Sequence, residues 1–66
     1  MNIVLNGEAR QIDDGTTLRA LLDQMAVNCE ALVVQRNDDI VERQSYAETE
    51  LADGDTLELV HFVGGG

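Results

Sequence analysis

Residues 16–25 read TTLRALLDQM, and the apolar pattern in this segment predicts how the domain is layered. Its large apolar residues recur at the spacing i, i+3, i+4 and i+7, which places them on one face of a helix; they are Leu18, Leu21, Leu22 and Met25. Thr16 or Thr17 can begin that helix, because a threonine oxygen accepts a hydrogen bond from a free amide of the first turn. A helix with one apolar stripe needs one sheet face to cover it, which predicts two layers around a single core.

Strand patterns flank the helix on both sides. Before it, residues 2–5 and 8–12 are predicted strands joined by Asn6-Gly7, a dipeptide that tolerates the positive φ values of a tight hairpin turn. After it, the continuous apolar run at residues 31–34 is typical of a strand that is buried on both faces. We therefore expect an interior strand at that run.

Polar turns at residues 37–39 and 52–55 divide the remaining chain. A short fourth strand is predicted to begin at Ile40 and Val41, and residues 44–51 are too weakly periodic for more than a helical turn. Residues 56–63 are strand formers throughout. In that last strand one face would carry Leu57, Leu59, His61 and Val63, and the other Thr56, Glu58, Val60 and Phe62.

The predicted order of elements is strand, strand, helix, strand, strand, strand. By analogy this order is similar to the β-grasp arrangement, an α+β fold in which one main helix packs on one face of a mixed sheet of four to five strands. We predict a single domain over residues 1–63 and a flexible glycine tail at residues 64–66. The uncovered sheet face must meet solvent or a partner, and Val60 and Phe62 are candidates to lie there.

The composition limits what the chain can do. At 66 residues, with 44% hydrophobic residues, it is a small globular domain near the lower limit for a core without metals or disulfides. There are 13 acidic residues against four arginines and no lysine, for a net charge of -9. Repulsion from phosphate disfavours nucleic acids and anionic membranes as partners. The charge favours a partner with a basic face, although acidity also serves solubility alone.

The cellular location follows from what the sequence lacks. Cys29 is the single cysteine, which excludes an internal disulfide framework. The start has no basic segment followed by an apolar one, and no run reaches the 18 or so apolar residues of a membrane span. We expect a cytoplasmic protein.

Gly64, Gly65 and Gly66 follow the last strand directly. Glycines have no side chains to clash with a narrow channel, so such a tail suits the threading of a terminal carboxylate into another protein's active site. A frayed end or linker is the alternative, and composition alone leaves both open.

A series of short motifs runs in order along essentially the whole chain: Asn6-Gly7-Glu8, Asp14-Gly15-Thr16-Thr17-Leu18, Leu21-Leu22, Ile40-Val41, Asp53-Gly54-Asp55 and Val63-Gly64-Gly65-Gly66. With this order and length, the chain resembles the thiamine-biosynthesis sulfur carrier proteins, which are relatives of ubiquitin. It departs from the family at Glu42, where a proline commonly precedes the arginine that is here Arg43. Tyr46 stands where an aromatic residue often follows.

The resemblance implies a carrier with no catalysis and no bound cofactor of its own. An adenylating activating enzyme would use ATP to adenylate the carboxylate of Gly66. A sulfur donor such as a cysteine desulfurase would then deliver persulfide sulfur, and the thiocarboxylate would give that sulfur to thiazole synthase. Gly64 and Gly65 would supply the clearance for threading. From the charge and the last strand, we expect partners to dock on Glu58, Val60 and Phe62.

Other chemistry-bearing residues favour structural roles. Cys29 has no CxxC partner or neighbouring base, so we interpret it as a packed or partly exposed spectator. His61 stands alone, and neither Asp13-Asp14 nor Asp38-Asp39 has the ligand spacing of a metal site. We expect no metal.

Two further functions stay open. One is a sulfur carrier of the molybdopterin type, and the other is a ubiquitin-like modifier or a simple binding module. A modifier without lysine cannot build chains through its own side chains, so polymeric tagging is disfavoured.

Overall fold

The last strand of the chain lies at the centre of the sheet. The structure is a computed structural model that describes residues 1–61. In this part of the chain the elements are β1 (Asn2–Leu5), β2 (Glu8–Gln11), α1 (Leu18–Gln24), β3 (Leu32–Arg36), β4 (Asp39–Val41) and β5 (Thr56–His61). Their strands form one five-stranded sheet in the order β2-β1-β5-β3-β4. Because β1 is parallel to β5 and the other neighbours are antiparallel, the sheet is mixed, and it has the predicted β-grasp arrangement.

The helix α1 covers one face of this sheet. Thr17 begins it, and its side-chain oxygen accepts a hydrogen bond from the amide of Ala20 at 3.1 Å. The predicted stripe is buried through Leu18, Leu21 and Leu22, each at most 1% exposed. Met25 is the C-cap residue and packs at the margin of the core. The buried core residues of the described chain are Ile3, Leu5, Leu18, Leu21, Leu22, Leu32, Val34, Tyr46, Leu51, Leu57 and Leu59.

The apolar run at residues 31–34 belongs, from Leu32 onward, to an interior strand as predicted, since β3 has β5 on one side and β4 on the other. It is not, however, fully buried on both faces. In β3 Leu32 and Val34 are buried, whereas Val33 is half-buried. Since α1 covers only one sheet face, the alternate residues of β3 lie on the uncovered face. A continuous apolar run does not distinguish one covered face from two.

Both hairpins use two-residue turns. Asn6 and Gly7 have φ values of 48° and 82°, and Asn37 and Asp38 have 48° and 74°; positive φ at both positions is typical of a type I′ turn. Asp39, which we predicted in the turn, is therefore the first residue of β4. The return strand β2 ends at Gln11, one residue earlier than predicted.

Residues 42–51 support the start of α1. The stretch 44–51 was predicted to hold no more than a helical turn, and the turn found there is a 3₁₀ turn at Arg43–Ser45, which begins one residue earlier. The carbonyl of Thr49 accepts from the amide of Leu18 at 2.8 Å, and that of Tyr46 accepts from the amide of Arg19 at 3.0 Å. These first-turn amides have no partner inside the helix, so the irregular segment completes it.

Asp55 connects the turns at the start of β5. Its carboxylate accepts hydrogen bonds from Arg36 Nε at 2.8 Å, Asn37 Nδ2 at 2.9 Å and the amide of Ala52 at 2.8 Å. Burial raises the pKa of Asp55, but the three hydrogen bonds and the Arg36 charge outweigh burial, so the pKa lies below its ordinary value of 3.8. The ionised carboxylate therefore stabilises the folded chain.

The helix ends in a Schellman motif centred on an alanine. Ala26 has a φ of 55°. Its amide donates to the backbone carbonyl of Asp23 at 3.1 Å, and the amide of Val27 donates to the carbonyl of Leu22 at 3.2 Å. Glycine usually occupies this position, because the Cβ of any other residue is strained there.

We predict that Ala26→Gly raises the free energy of unfolding by about 0.5–1 kcal/mol, because relief of strain exceeds the entropy gained by the unfolded chain. Urea denaturation measures the change. The matched control, Ala20→Gly inside α1, should lower the same free energy by about 1 kcal/mol. Destabilisation by both substitutions would contradict the strain at residue 26.

We predict that Asp55→Asn lowers the free energy of unfolding by about 1–3 kcal/mol near neutral pH. Because folding lowers the pKa of Asp55, its stabilisation is complete above 3.8 and is lost as the pH falls below that value toward the folded pKa. The difference between parent and variant should therefore shrink in acid. Urea denaturation at a series of pH values tests this. The exposed Asp13 provides the control Asp13→Asn, with a change below about 0.5 kcal/mol, and a difference for Asp55→Asn that does not vary with pH would exclude the assigned role.

Candidate functional site

The candidate site consists of β5, which leads to the terminal glycines, and the sheet face that α1 leaves uncovered. Phe62 and the predicted reactive tail at Gly64, Gly65 and Gly66 lie outside the described residues. Their assigned roles stay predictions. The structure describes how the chain is held up to His61, the last residue of β5.

Glu58 and Val60, the other two predicted site residues, lie together on the uncovered face. β5 alternates between buried Leu57 and Leu59 and exposed Thr56, Glu58 and Val60. The side chain of Val60 is 53% exposed. The division of the last strand into two faces is thus confirmed for the described residues.

The strand register adds apolar residues that the sequence did not single out. Val33 of β3 is opposite Val60, and Gln35 is opposite both Glu58 of β5 and Ile40 of β4. Paired residues share a sheet face, so Val33, Ile40 and Val60 lie on one face, which we call the open-face patch. Ile40 is 63% exposed. Its place could have been found by treating Asn37-Asp38 as a two-residue turn, because that turn puts Ile40 opposite Gln35.

The open-face patch borders an acidic groove. A shallow groove of about 280 Å³ is lined by Gln35, Asn37, Asp38, Thr56 and Glu58. Its lining has two carboxylates and no basic side chain. An apolar patch beside uncompensated carboxylates fits a partner with apolar residues ringed by basic ones.

A larger groove of about 420 Å³ lies beside β4 and is lined by Arg36, Asn37, Asp39, Ile40, Val41, Glu42, Ser45 and Thr49. Its lining carries charges of both signs. Arg36 already forms an ion pair with Asp55 through Nε at 2.8 Å. The groove therefore does not present a charge of one sign to a ligand.

Three other residues singled out in the sequence are Cys29, His61 and Tyr46. Cys29 is half-buried at the margin of the core, with Sγ 3.8 Å from the carbonyl oxygen of Val27, and His61 is exposed. Across residues 1–61 no three His, Cys, Asp or Glu side chains gather closely enough to hold a metal ion. Tyr46 is 1% exposed; burial, followed by the nearby Cys29, raises the pKa of its phenol against the opposing effect of Arg43. This aromatic residue belongs to the core.

Comparison with known proteins assigns the chain to a family. The ThiS family model matches residues 3–66. The chain is 40% identical over 63 residues to the sulfur carrier protein ThiS of Bacillus subtilis, a match that covers 94% of this chain and 96% of that protein.

This chain belongs to the ThiS family.

A solved member of the family has the same fold. The crystal structure of the thiamine biosynthesis protein ThiS from Geobacter metallireducens superposes with a TM-score of 0.86 at 32% identity, covering all of both chains. The family resemblance and the β-grasp fold predicted from the sequence are therefore confirmed.

A further relative is much longer than this chain. The chain is 44% identical over 66 residues to a protein of Paramagnetospirillum magneticum named thiazole synthase. The match includes all of this chain but only 20% of that protein.

Within the described residues, no helix has the length and apolar character needed to cross a membrane.

Proposed function

We propose that this ThiS family chain is the sulfur carrier for thiazole formation in thiamine biosynthesis. The observation that carries the proposal is the match to the Bacillus subtilis sulfur carrier protein ThiS over nearly the whole length of both proteins. The terminal glycines lie within the stretch that the family model matches. An exposed sheet face that carries Glu58 beside the apolar residues Val33, Ile40 and Val60 is compatible with a carrier whose partners supply the catalysis.

The reacting group in this proposal is the carboxylate of Gly66. An α-carboxyl group has a pKa of about 3.5 in model peptides, so it is ionised at neutral pH and resists nucleophiles. An activating enzyme would convert it to a mixed anhydride with AMP, releasing pyrophosphate from ATP. A sulfur donor such as a cysteine desulfurase would then supply a persulfide, whose terminal sulfur attacks the mixed anhydride and displaces AMP. A thiol would reduce the resulting acyl disulfide, which leaves a thiocarboxylate in place of the carboxylate. The carrier itself would bind no cofactor and perform no catalysis.

Thiazole synthase is the proposed sulfur acceptor. A protein of that name contains a stretch 44% identical to this whole chain, which supports a working association between carrier and synthase. The single cysteine suits a reducing compartment, so we place the carrier in the cytoplasm. Partners would dock on the open-face patch, Glu58 and Phe62.

We predict that incubation with ATP, an activating enzyme and a sulfide source adds about 16 Da to the chain, since sulfur replaces one carboxylate oxygen. Intact mass spectrometry measures the gain. The matched control is the same chain without Gly66, which should gain nothing. An amide-linked conjugate to another protein would instead indicate a modifier, and an unchanged mass with an active enzyme would contradict the carrier proposal.

We predict that Glu58→Arg and Val60→Arg each weaken activation, measured as kcat/KM for the carrier, by about tenfold at low salt. Glu58→Arg should act through slower encounter and lose most of its effect at high salt, whereas Val60→Arg should persist. Phe62→Ala should also weaken activation. Asp23→Arg provides a matched charge reversal on α1, on the other side of the sheet, and should change kcat/KM by less than about twofold. If Asp23→Arg and Glu58→Arg lower kcat/KM equally, net charge alone accounts for the effect, and Glu58 has no specific role on the open face.

A further inference from the structure

We propose that Asn6 is a positioning residue that directs the end of β5, and so the chain that leads to Gly66, toward the activating enzyme. This inference rests on the proposed function, because it concerns how the terminus is presented for adenylation. It assigns Asn6 a role beyond its place in a hairpin turn.

The backbone ladder between β1 and β5 stops short of the end of β5. The register of the two strands ends with Leu5 opposite Leu57. The last backbone bond on this edge joins the amide of Asn6 to the carbonyl of Leu57 at 2.9 Å. The chain then turns away at Asn6-Gly7, while β5 continues to His61.

The side chain of Asn6 takes the place of the missing strand. Its Oδ1 accepts a hydrogen bond from the amide of Leu59 at 2.7 Å. Leu59 is only 8% exposed, so without this acceptor its amide would be poorly placed to bond water instead. One side chain therefore extends the hydrogen bonding of this edge beyond β1.

β3 cannot supply that bond. In an antiparallel pair, the backbone groups of successive residues point alternately toward and away from the partner strand. The amide of Asn37 donates to the carbonyl of Thr56 at 2.9 Å, so Glu58 and Val60 also point their backbone groups at β3. The backbone groups of Leu59 and His61 point to the other edge, where Asn6 is.

The consequence concerns the direction of the strand end. β3 pairs with β5 on one edge as far as His61, which is opposite Leu32, and it bonds β5 through the backbone groups of Glu58 and Val60. A strand bonded on one edge can swing about that edge, and the Asn6 bond restrains this swing close to the start of the tail. An enzyme that receives the terminus then has less conformational freedom to remove on binding.

Asn37 provides an internal control. It occupies the same position of the other type I′ turn with the same φ of 48°, and its Oδ1 accepts from the amide of Thr56 at 2.9 Å. It holds the beginning of β5, whereas Asn6 holds the end. Loss of either hydrogen bond destabilises the domain, but only loss of the Asn6 bond should increase the conformational freedom of the chain that leads to Gly66.

The test compares Asn6→Gly, Asn6→Asp and Asn37→Gly in the full chain, at a temperature where all are folded. Glycine keeps the positive φ and removes the acceptor, whereas aspartate keeps both. One readout is amide hydrogen exchange at Leu59 by NMR. The other is KM and kcat for ATP-dependent adenylation of the carrier.

We expect Asn6→Gly to speed exchange at Leu59 by about tenfold and to raise the KM for the carrier by about three- to tenfold with little change in kcat. Asn6→Asp should keep the Leu59 exchange rate and the KM close to those of the parent chain, and Asn37→Gly should leave the KM unchanged. An unaltered Leu59 exchange rate, or an equal rise in KM for Asn37→Gly, would overturn the positioning role alone. If the parent chain is not adenylated at all, the proposed function fails, and the positioning role fails with it.

Discussion

The insertion of β5 between β1 and β3 is the constraint on which the rest of the structure depends. Its neighbours come from opposite parts of the chain, with Val4 opposite Thr56 and Val34 opposite Leu59. The sheet is complete only when β5 is in place. The entropy cost of closing the long stretch of chain between β1 and β5 must therefore be offset by the burial of apolar side chains. Insertion brings Leu57 and Leu59 under α1.

Polar side chains make this arrangement possible in so small a domain. At the start of β5, Asn37 donates a hydrogen bond to Asp55, whose carboxylate also accepts from the amide of Ala52, and the side chain of Asn37 accepts from the amide of Thr56. Near its end, Asn6 bonds the amide of Leu59. These bonds lie where one strand ends before its neighbour, which is where buried backbone groups would otherwise have no partner. In the described residues, no buried side-chain nitrogen or oxygen lacks a partner.

The division of labour proposed for the carrier follows from this architecture. The reacting atom would belong to a terminal glycine, and the chemistry to enzymes that receive it. The domain would contribute the strand β5, which precedes that terminus in the chain, and a recognition surface on the open face. On that surface Glu58 would speed encounter with a basic partner, and Val33, Ile40 and Val60 would hold the complex through apolar contact.

The local elements could be predicted from the sequence alone. The spacing of leucines predicted α1, Asn6-Gly7 predicted the first hairpin, and the motif order with its terminal glycines indicated the ThiS family. The tertiary structure alone set the burial of Tyr46, the exposure of Ile40, the half-buried position of Val33, and the roles of Asp55 and Asn6. These depend on which sheet face α1 covers and on register between strands far apart in sequence. Local propensity does not encode either property, because both arise from contacts that form only when the sheet closes around β5.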